Sequence, residues 1–314
     1  MNREEQTQHR LGRQAGKDGD YDLAVSLLKP LADKGDLKAM NDLSIVYDFQ
    51  GKDLEVFELR KQVVDQVQNG ITLYNYAKCF YYGTGVKKDL KKALKYFKKS
   101  AKMGYIPACY KAAVMYLEGK GAKESETKAV EYARLGSKLE LQSNSNEYLC
   151  TTLMGVSYVL GSGKLKQNFK KAYRYFTEAS KRGDPVAKYE IARMILFEKH
   201  EGNNNYANKL LEEAAHLKHQ ASIEMLIEIY LNGWFGFEKN PLIANYWIKY
   251  GEKIKHPLSM LLSTKNYVNK MMFKEASETI KYVDGYHFHT QYRKDMYKRL
   301  KDILDVKDPD PIQA

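Results

Sequence analysis

A small residue recurs along this chain with a fixed helical neighbourhood. Ala93 stands in KKALKYFKKSAKMG, and the same local pattern returns around Ala24 (YDLAVSLLKPLADKG), Ala129 (TKAVEYARLGSKLE) and Ala172 (KKAYRYFTEASKRG). It returns again around Ala207 (NYANKLLEEAAHLK), Ala244 (LIANYWIKYGEKIK) and, more faintly, Ala276 (FKEASETIKYVDG). From Ala93 onward the first four spacings are 36, 43, 35 and 37 residues. Three residues past the anchor stand Leu27, Tyr96, Tyr132, Tyr175, Leu210 and Trp247; seven past it stand Ser100, Gly136, Ala179, Ala214 and Gly251. Small, then bulky, then small at these offsets is a helical period, with a narrow stripe on which another helix can lie closely. Self-similarity at such a period is the mark of stacked supersecondary units.

A second helix precedes each anchor helix and ends in a glycine-bearing loop, with the form small–x–x–aromatic–x–x–Gly. Ala77/Phe80/Gly83, Ala113/Tyr116/Gly119 and Gly155/Tyr158/Gly161 carry it. The GTG, GKG and GSG loops lack the Lys-Ser/Thr pair and the preceding strand of a phosphate loop. They read as tight helix connections that need positive φ.

These residues resemble the Sel1-like repeat, a member of the tetratricopeptide-repeat superfamily. YAKCFYYGTGVKKDLKKALKYFKKSAKMG follows the pattern Leu-Gly-x-x-Tyr-x-x-Gly-x-Gly-Val-x-x-Asp-x-x-Lys-Ala-x-x-Tyr-x-x-x-Ala-x-x-Gly, departing at Tyr76-Ala77 and Phe80. The resemblance implies an all-α fold, a right-handed superhelical solenoid of antiparallel helix pairs. The expected layout is an array of about seven repeats over 1–285, clearest at 71–105, 106–142, 146–184 and 221–257, then a capping helix and flexible tail over 286–314. The segment 36–70 is weak, because LEVFELRKQVVDQVQNG lacks the alanine anchor.

The formal net charge is +12, of which eight lysines and Asp89 in residues 87–104 supply +7. The basic balance is therefore local. Cys79, Cys109 and Cys150 form no CxxC pair, leave an odd thiol, and suit a reducing compartment. The N-terminal MNREEQTQHRLGRQAGKDGD has no apolar core of a Sec-type signal, and no window approaches a membrane span. The expected location is cytoplasmic, with export by a dedicated secretion system the alternative.

By analogy with tetratricopeptide repeats, the first helix of each pair lines a concave groove. Register then nominates Tyr74, Lys78, Tyr81, Tyr82, Tyr110, Tyr189 and Arg193 as partner-binding candidates. Tyrosine gives large contact area at low entropic cost, plus a hydroxyl. The competing reading is that these tyrosines pack between consecutive repeats. On the outer face, Lys88, Lys91, Lys92, Lys95, Lys99 and Lys102 form a candidate basic patch over the packing stripe Leu90, Ala93, Leu94, Phe97 and Ala101.

No constellation for catalysis, cofactor or metal emerges. His287 and His289 lack a third ligand at finger-like spacing. Glu212 and His216 share one helix face in an order that reads as an ion pair rather than a zinc motif. The three cysteines fall in first helices, where a buried structural thiol is expected. The resemblance implies a non-catalytic scaffold or adaptor for a protein partner, acidic if it meets the lysines. Regulatory adaptor, host-directed effector and toxin-immunity protein are the settings it brings. The alternative is a binder of nucleic acid or anionic lipid through the basic helix 87–102.

Overall fold

The computed structural model describes residues 2–143, 147–198, 201–286, 288 and 290–307. Its described residues are helical, without strands, and fall into two compact units, 1–182 and 183–314. The first holds α1 (Arg3–Asp18), α2 (Tyr21–Asp33), α3 (Leu37–Phe49), α4 (Asp53–Gln66), α5 (Gly70–Tyr82), α6 (Leu90–Lys102), α7 (Ile106–Leu117), α8 (Glu126–Gln142), α9 (Leu149–Leu160) and α10 (Phe169–Lys181). The second holds α11 (Pro185–Leu196), α12 (Asn204–His216), α13 (Gln220–Asn232), α14 (Pro241–Lys253), α15 (Pro257–Asn269), α16 (Phe273–Ile280) and α17 (Gln291–Lys307). Within each unit helices pack in chain order, each odd-numbered helix against the even-numbered one that follows it. This is the all-helical solenoid class that the repeat pattern implies.

The anchor helices start where they do because a capping residue stands four positions before the anchor. Asp20, Asp89, Ser125, Asn168, Asn203 and Asn240 each accept a hydrogen bond from the backbone N–H three residues on, as Asp89 does from Lys92 at 2.9 Å. Such a cap satisfies one of the orphan donors of the first turn, worth about 1 kcal/mol. At the corresponding positions of α4 and α16, Lys52 and Met272 provide no side-chain cap.

Three pairs share one interior motif. Phe80 stacks on Tyr96 (5.9 Å), Tyr116 on Tyr132 (5.8 Å) and Tyr158 on Tyr175 (5.6 Å). The lysine before each anchor lies over the first ring, Lys92 at 5.5 Å, Lys128 at 5.3 Å and Lys171 at 5.4 Å. A lysine, a first-helix ring and a second-helix tyrosine thus form one layer per pair, which gives the recurring Lys-Ala-x-x-Tyr its physical sense. Four residues past the anchor, Phe97 and Phe176 are fully buried. Each contributes about 1.5–3 kcal/mol through burial.

The small positions govern how closely pairs approach. A Cβ on Gly136 of α8 would meet Cys109 and Cys150 on the flanking first helices, and one on Gly251 of α14 would overlap Ser259 of α15. The loop glycine Gly121 (φ 80°) lies against the carbonyl of Leu90 at the start of α6, and a Cβ there would come within 2.7 Å of that carbonyl carbon. Positive φ and close backbone approach together demand glycine.

Arg60 is the exception in the first unit. It occupies on α4 the place of Phe97 on α6, is 3% exposed, and donates to Asp48 at 2.6 Å and to the sulfur of Cys79 at 3.7 Å. In the second unit α17 is one-sided. Met296, Leu300 and Leu304 are buried in a cluster with Met260, Leu261, Ala276 and Ile280 of α15 and α16.

Candidate binding faces

In the first unit, the nominated residues of α5 sit in graded burial. Tyr74 is half-buried between Phe97 (5.3 Å) and Tyr105 (5.1 Å), so most of its ring serves packing. Tyr110 is half-buried and packs with Tyr74 on the cluster of Ala101, Ala108, Cys109 and Cys150. Tyr82 is exposed, with Tyr81 against its edge at 4.9 Å. The Lys111 ammonium sits 3.9 Å from the Tyr81 ring centroid and 5.7 Å from that of Tyr82. Lys78 lies 3.9 Å from the Asp48 carboxylate that Arg60 already holds. Burial, then the nearby Arg60 charge, lowers the Lys78 pKa from its ordinary value. Tyr81, Tyr82, Lys78 and Lys111 therefore form a cationic, aromatic face beside the Asp48 carboxylate, which is already engaged.

The second unit contains a larger cleft of about 790 Å³, lined by the first helices α11, α13 and α15 together with α17 and the loop after α13. Tyr189 lines it, half-buried with its ring 5.0 Å from His219. Arg193 is turned instead to Glu190, donating through Nε at 3.1 Å and Nη2 at 2.8 Å. The prominent rings are Phe197 (50% exposed), Trp234 (48%) and Tyr292 (68%). Phe197 and Phe235 meet edge-on at 5.0 Å. Phe235 adopts φ 58°, unusual for a bulky residue, and its carbonyl accepts from Asn204 at 2.7 Å. Strained backbone that presents aromatic surface is a feature of binding sites.

Charge in this cleft is organised by Arg293 of α17, which donates to Glu224 at 3.1 Å and Glu228 at 3.3 Å on α13. His256, 1% exposed, lies 3.7 Å from Glu224 and pairs with Ser259 at 3.1 Å. Burial lowers its pKa, Glu224 opposing and Arg293 adding to the effect.

Sequence register carries Phe197 among the groove positions, at the place Tyr82 holds on α5, but it did not reach Trp234, Phe235, Tyr292 or Arg293. The exposed aromatics of NGWFG were a signal that could have done so. The ion pair read for Glu212 and His216 is not formed. Glu212 accepts from Asn208 at 2.8 Å, and the His216 ring packs on Trp247 (5.2 Å) and Tyr250 (5.5 Å), which are better neighbours for a flat ring. The three cysteines are free and buried, and burial raises the pKa of all three, that of Cys109 to about 12. Among the described residues no group of three His, Cys, Asp or Glu side chains could hold a metal ion. His287 and His289 lie outside the described residues. No helix of the described residues is long and apolar enough to cross a membrane.

Of the basic candidates, Lys88, Lys91, Lys92, Lys95, Lys99 and Lys102 are all exposed. Lys92 is engaged over Phe80. Lys91, Lys95, Lys99 and Lys102 line one cleft, joined by Lys98 and Lys128, which register did not single out.

Stacked helix pairs presenting extended faces define a helical-repeat fold. The chain belongs to the Sel1 repeat family, whose model matches residues 6–36, 71–105, 106–140, 150–184 and 228–250. Chitin synthase regulatory factor 2 of Schizosaccharomyces pombe is 26% identical over 234 residues, covering 72% of this chain and 45% of that protein. The chain thus spans less than half the length of the curated relatives it matches. A Sel1 repeat protein from Oxalobacter formigenes superposes with a TM-score of 0.68 at 20% identity, over 78% of this chain and 99% of that one. A protective antigen of uropathogenic Escherichia coli gives a TM-score of 0.64 at 18% identity, over 90% of this chain and 61% of that one. Both structures share the fold. Sel1 repeats are in general protein–protein interaction scaffolds.

Proposed function

We propose that the chain is a non-catalytic adaptor that holds a partner protein on the inner helix faces of its repeats. The cleft of the second unit is the principal docking site for an extended partner segment. The observation that carries this reading is the concentration of half-exposed Phe197, Trp234 and Tyr292 around the 790 Å³ cleft. Aromatic anchors in a concave surface are the usual energetic centre of an interface. The face of Tyr81, Tyr82, Lys78 and Lys111 on the first unit suits acidic residues of the partner, and Tyr74, Tyr110, Tyr189 and Arg193 support these faces through their packing and pairing. The Schizosaccharomyces pombe relative is named a regulatory factor, which favours a regulatory adaptor among the three settings. Residues 1–285 act as the repeat array, closed by the C-terminal segment through α17.

Affinity purification tests the reading with wild type, a Trp234→Ala/Tyr292→Ala variant and a Tyr246→Ala variant, Tyr246 being exposed on α14 and not part of the cleft. The reading expects a partner that is retained by Tyr246→Ala and lost by the double variant. Retention of every partner by the double variant refutes it.

A further inference from the structure

Beyond the groove, we propose that the cleft beside α6 binds a compact polyanion carrying several phosphate groups. Its lining is Leu94 and Tyr116, the loop residues Gly121 and Ala122, and six lysines: Lys91, Lys95, Lys98, Lys99, Lys102 and Lys128. The first, second, third and fifth of these stand at i, i+4, i+7 and i+11, a single stripe along α6. The volume is about 440 Å³. That is the scale of a small-molecule site, roughly 300–1,000 Å³.

No carboxylate lines the cleft, and among the described residues none of the six lysines is in an ion pair. Glu124 and Glu131 flank Lys128 in sequence but form no ion pair with it among the described residues, and three other nearby acids are committed elsewhere. Asp89 caps α6, Glu118 pairs with Lys120 at 3.0 Å, and Glu126 accepts from the Gly163 N–H at 2.7 Å. Lysines elsewhere on the chain do find partners, as Lys188 does with Glu213 and Lys34 with Glu5. Lys99 and Lys128 rest over the Tyr96 and Tyr116 rings, but six cations without a carboxylate partner around one concavity repel one another, and a bound anion removes that cost.

Charge density selects phosphate over carboxylate. A phosphate group carries about −1.5 to −2, so roughly three or four of them balance six lysines, where six carboxylate side chains would be needed. Lysine ammonium groups bind phosphate as mobile point charges, without the bidentate geometry arginine requires. The concavity favours a compact ligand over a duplex or a bilayer, whose charges are spread along an extended surface. The Tyr116 ring, already under Lys128 at 5.3 Å, floors the site.

Titration calorimetry of the full chain with tripolyphosphate and with inositol hexakisphosphate, at about 150 mM salt where long-range effects are screened, tests the assignment. The expected result is one site, weakened about tenfold or more by Lys95→Glu/Lys98→Glu/Lys102→Glu. The charge-matched variant Lys170→Glu/Lys171→Glu/Arg174→Glu on α10 keeps wild-type affinity, and circular dichroism confirms that both variants are folded. Binding of phosphoinositide vesicles as well as of the soluble polyphosphates identifies a lipid headgroup as the source, and binding of the soluble forms alone identifies a free ligand. Equal weakening by both variants overturns the proposal. So does tighter binding of poly-glutamate or duplex DNA, binding of vesicles alone, or no heat above that of sulfate at matched ionic strength.

Discussion

Glu140 on α8 is fully buried, and among the described residues no cation pairs with it. It accepts from the N–H of Cys150 at 2.9 Å and from the N–H and hydroxyl of Thr151, both at 2.7 Å. Those amides open α9, whose N-cap residue, Tyr148, offers no side-chain cap of its own. The carboxylate of one repeat therefore caps the first helix of the next, where the helix dipole favours negative charge. In Glu140→Ala the Thr151 hydroxyl keeps Ser137 at 3.0 Å, but the two amides lose their acceptor inside the core. Each orphaned donor costs about 1–3 kcal/mol, so with the lost charge-assisted bonds the first unit should lose about 3–5 kcal/mol. Glu140→Gln keeps one accepting oxygen and turns an NH₂ toward the other donors, for about half that loss. With an m-value of about 1–3 kcal/mol/M, the urea midpoint of the alanine variant falls by about 1–5 M. Hydrogen exchange is the sharper assay: the Cys150 and Thr151 amides lose protection in both variants, while amides of α5 lose less. An unchanged midpoint with unchanged protection would refute the capping argument.

Asp48→Ala strips Arg60 of its carboxylate and destabilises the first unit by about 2–3 kcal/mol, whereas Arg60→Met is neutral or stabilising, because an apolar side chain fills that layer in other repeats; urea unfolding compares the two. Gly121→Ala combines a positive φ with overlap on the Leu90 carbonyl and costs about 2–4 kcal/mol, against about 1–2 for Gly104→Ala, whose positive φ faces open space. Thermal melts of the two variants should differ accordingly. Burial lowers the pKa of His256 and His219 below the ordinary 6.5. Their stabilising contribution is present above pH 6.5 and is lost as pH falls through the lowered values, because the unfolded chain takes up protons first. The second unit should therefore melt progressively lower from pH 6.5 downward, and a His256→Asn/His219→Asn variant should show a flatter profile.

The helical stack was legible because its signals are local and repeated. The small anchors, the bulky residue at +3 and the glycine pairs all follow from helix period and turn chemistry. The caps at −4 stand in the sequence as Asp, Asn or Ser but went unread, and they explain helix starts rather than fold class. At α4 the repeat signature fails in sequence because Val56 stands where the alanine anchor should be, and Arg60 takes the place that Phe97 and Phe176 hold elsewhere; Asp48, twelve residues earlier, makes that tolerable, and such a pairing has no helical period. The binding faces were harder to read. Register nominated Tyr81 and Tyr82, but the aromatic cleft draws on a loop in strained backbone and on α17, which carries no repeat signature. Lys128 reaches the lysine cleft from a different repeat, a juxtaposition that only the stacking of consecutive repeats creates.

The most direct test of partner capture is site-specific photocrosslinking. A benzoylphenylalanine is placed in turn at Trp234, Tyr292 and Tyr246, and the crosslinked segments are sequenced. Inner-face docking predicts that positions 234 and 292 capture the same stretch of one partner and that position 246 does not. Capture of that partner from 246 with none from 234 or 292 would contradict it.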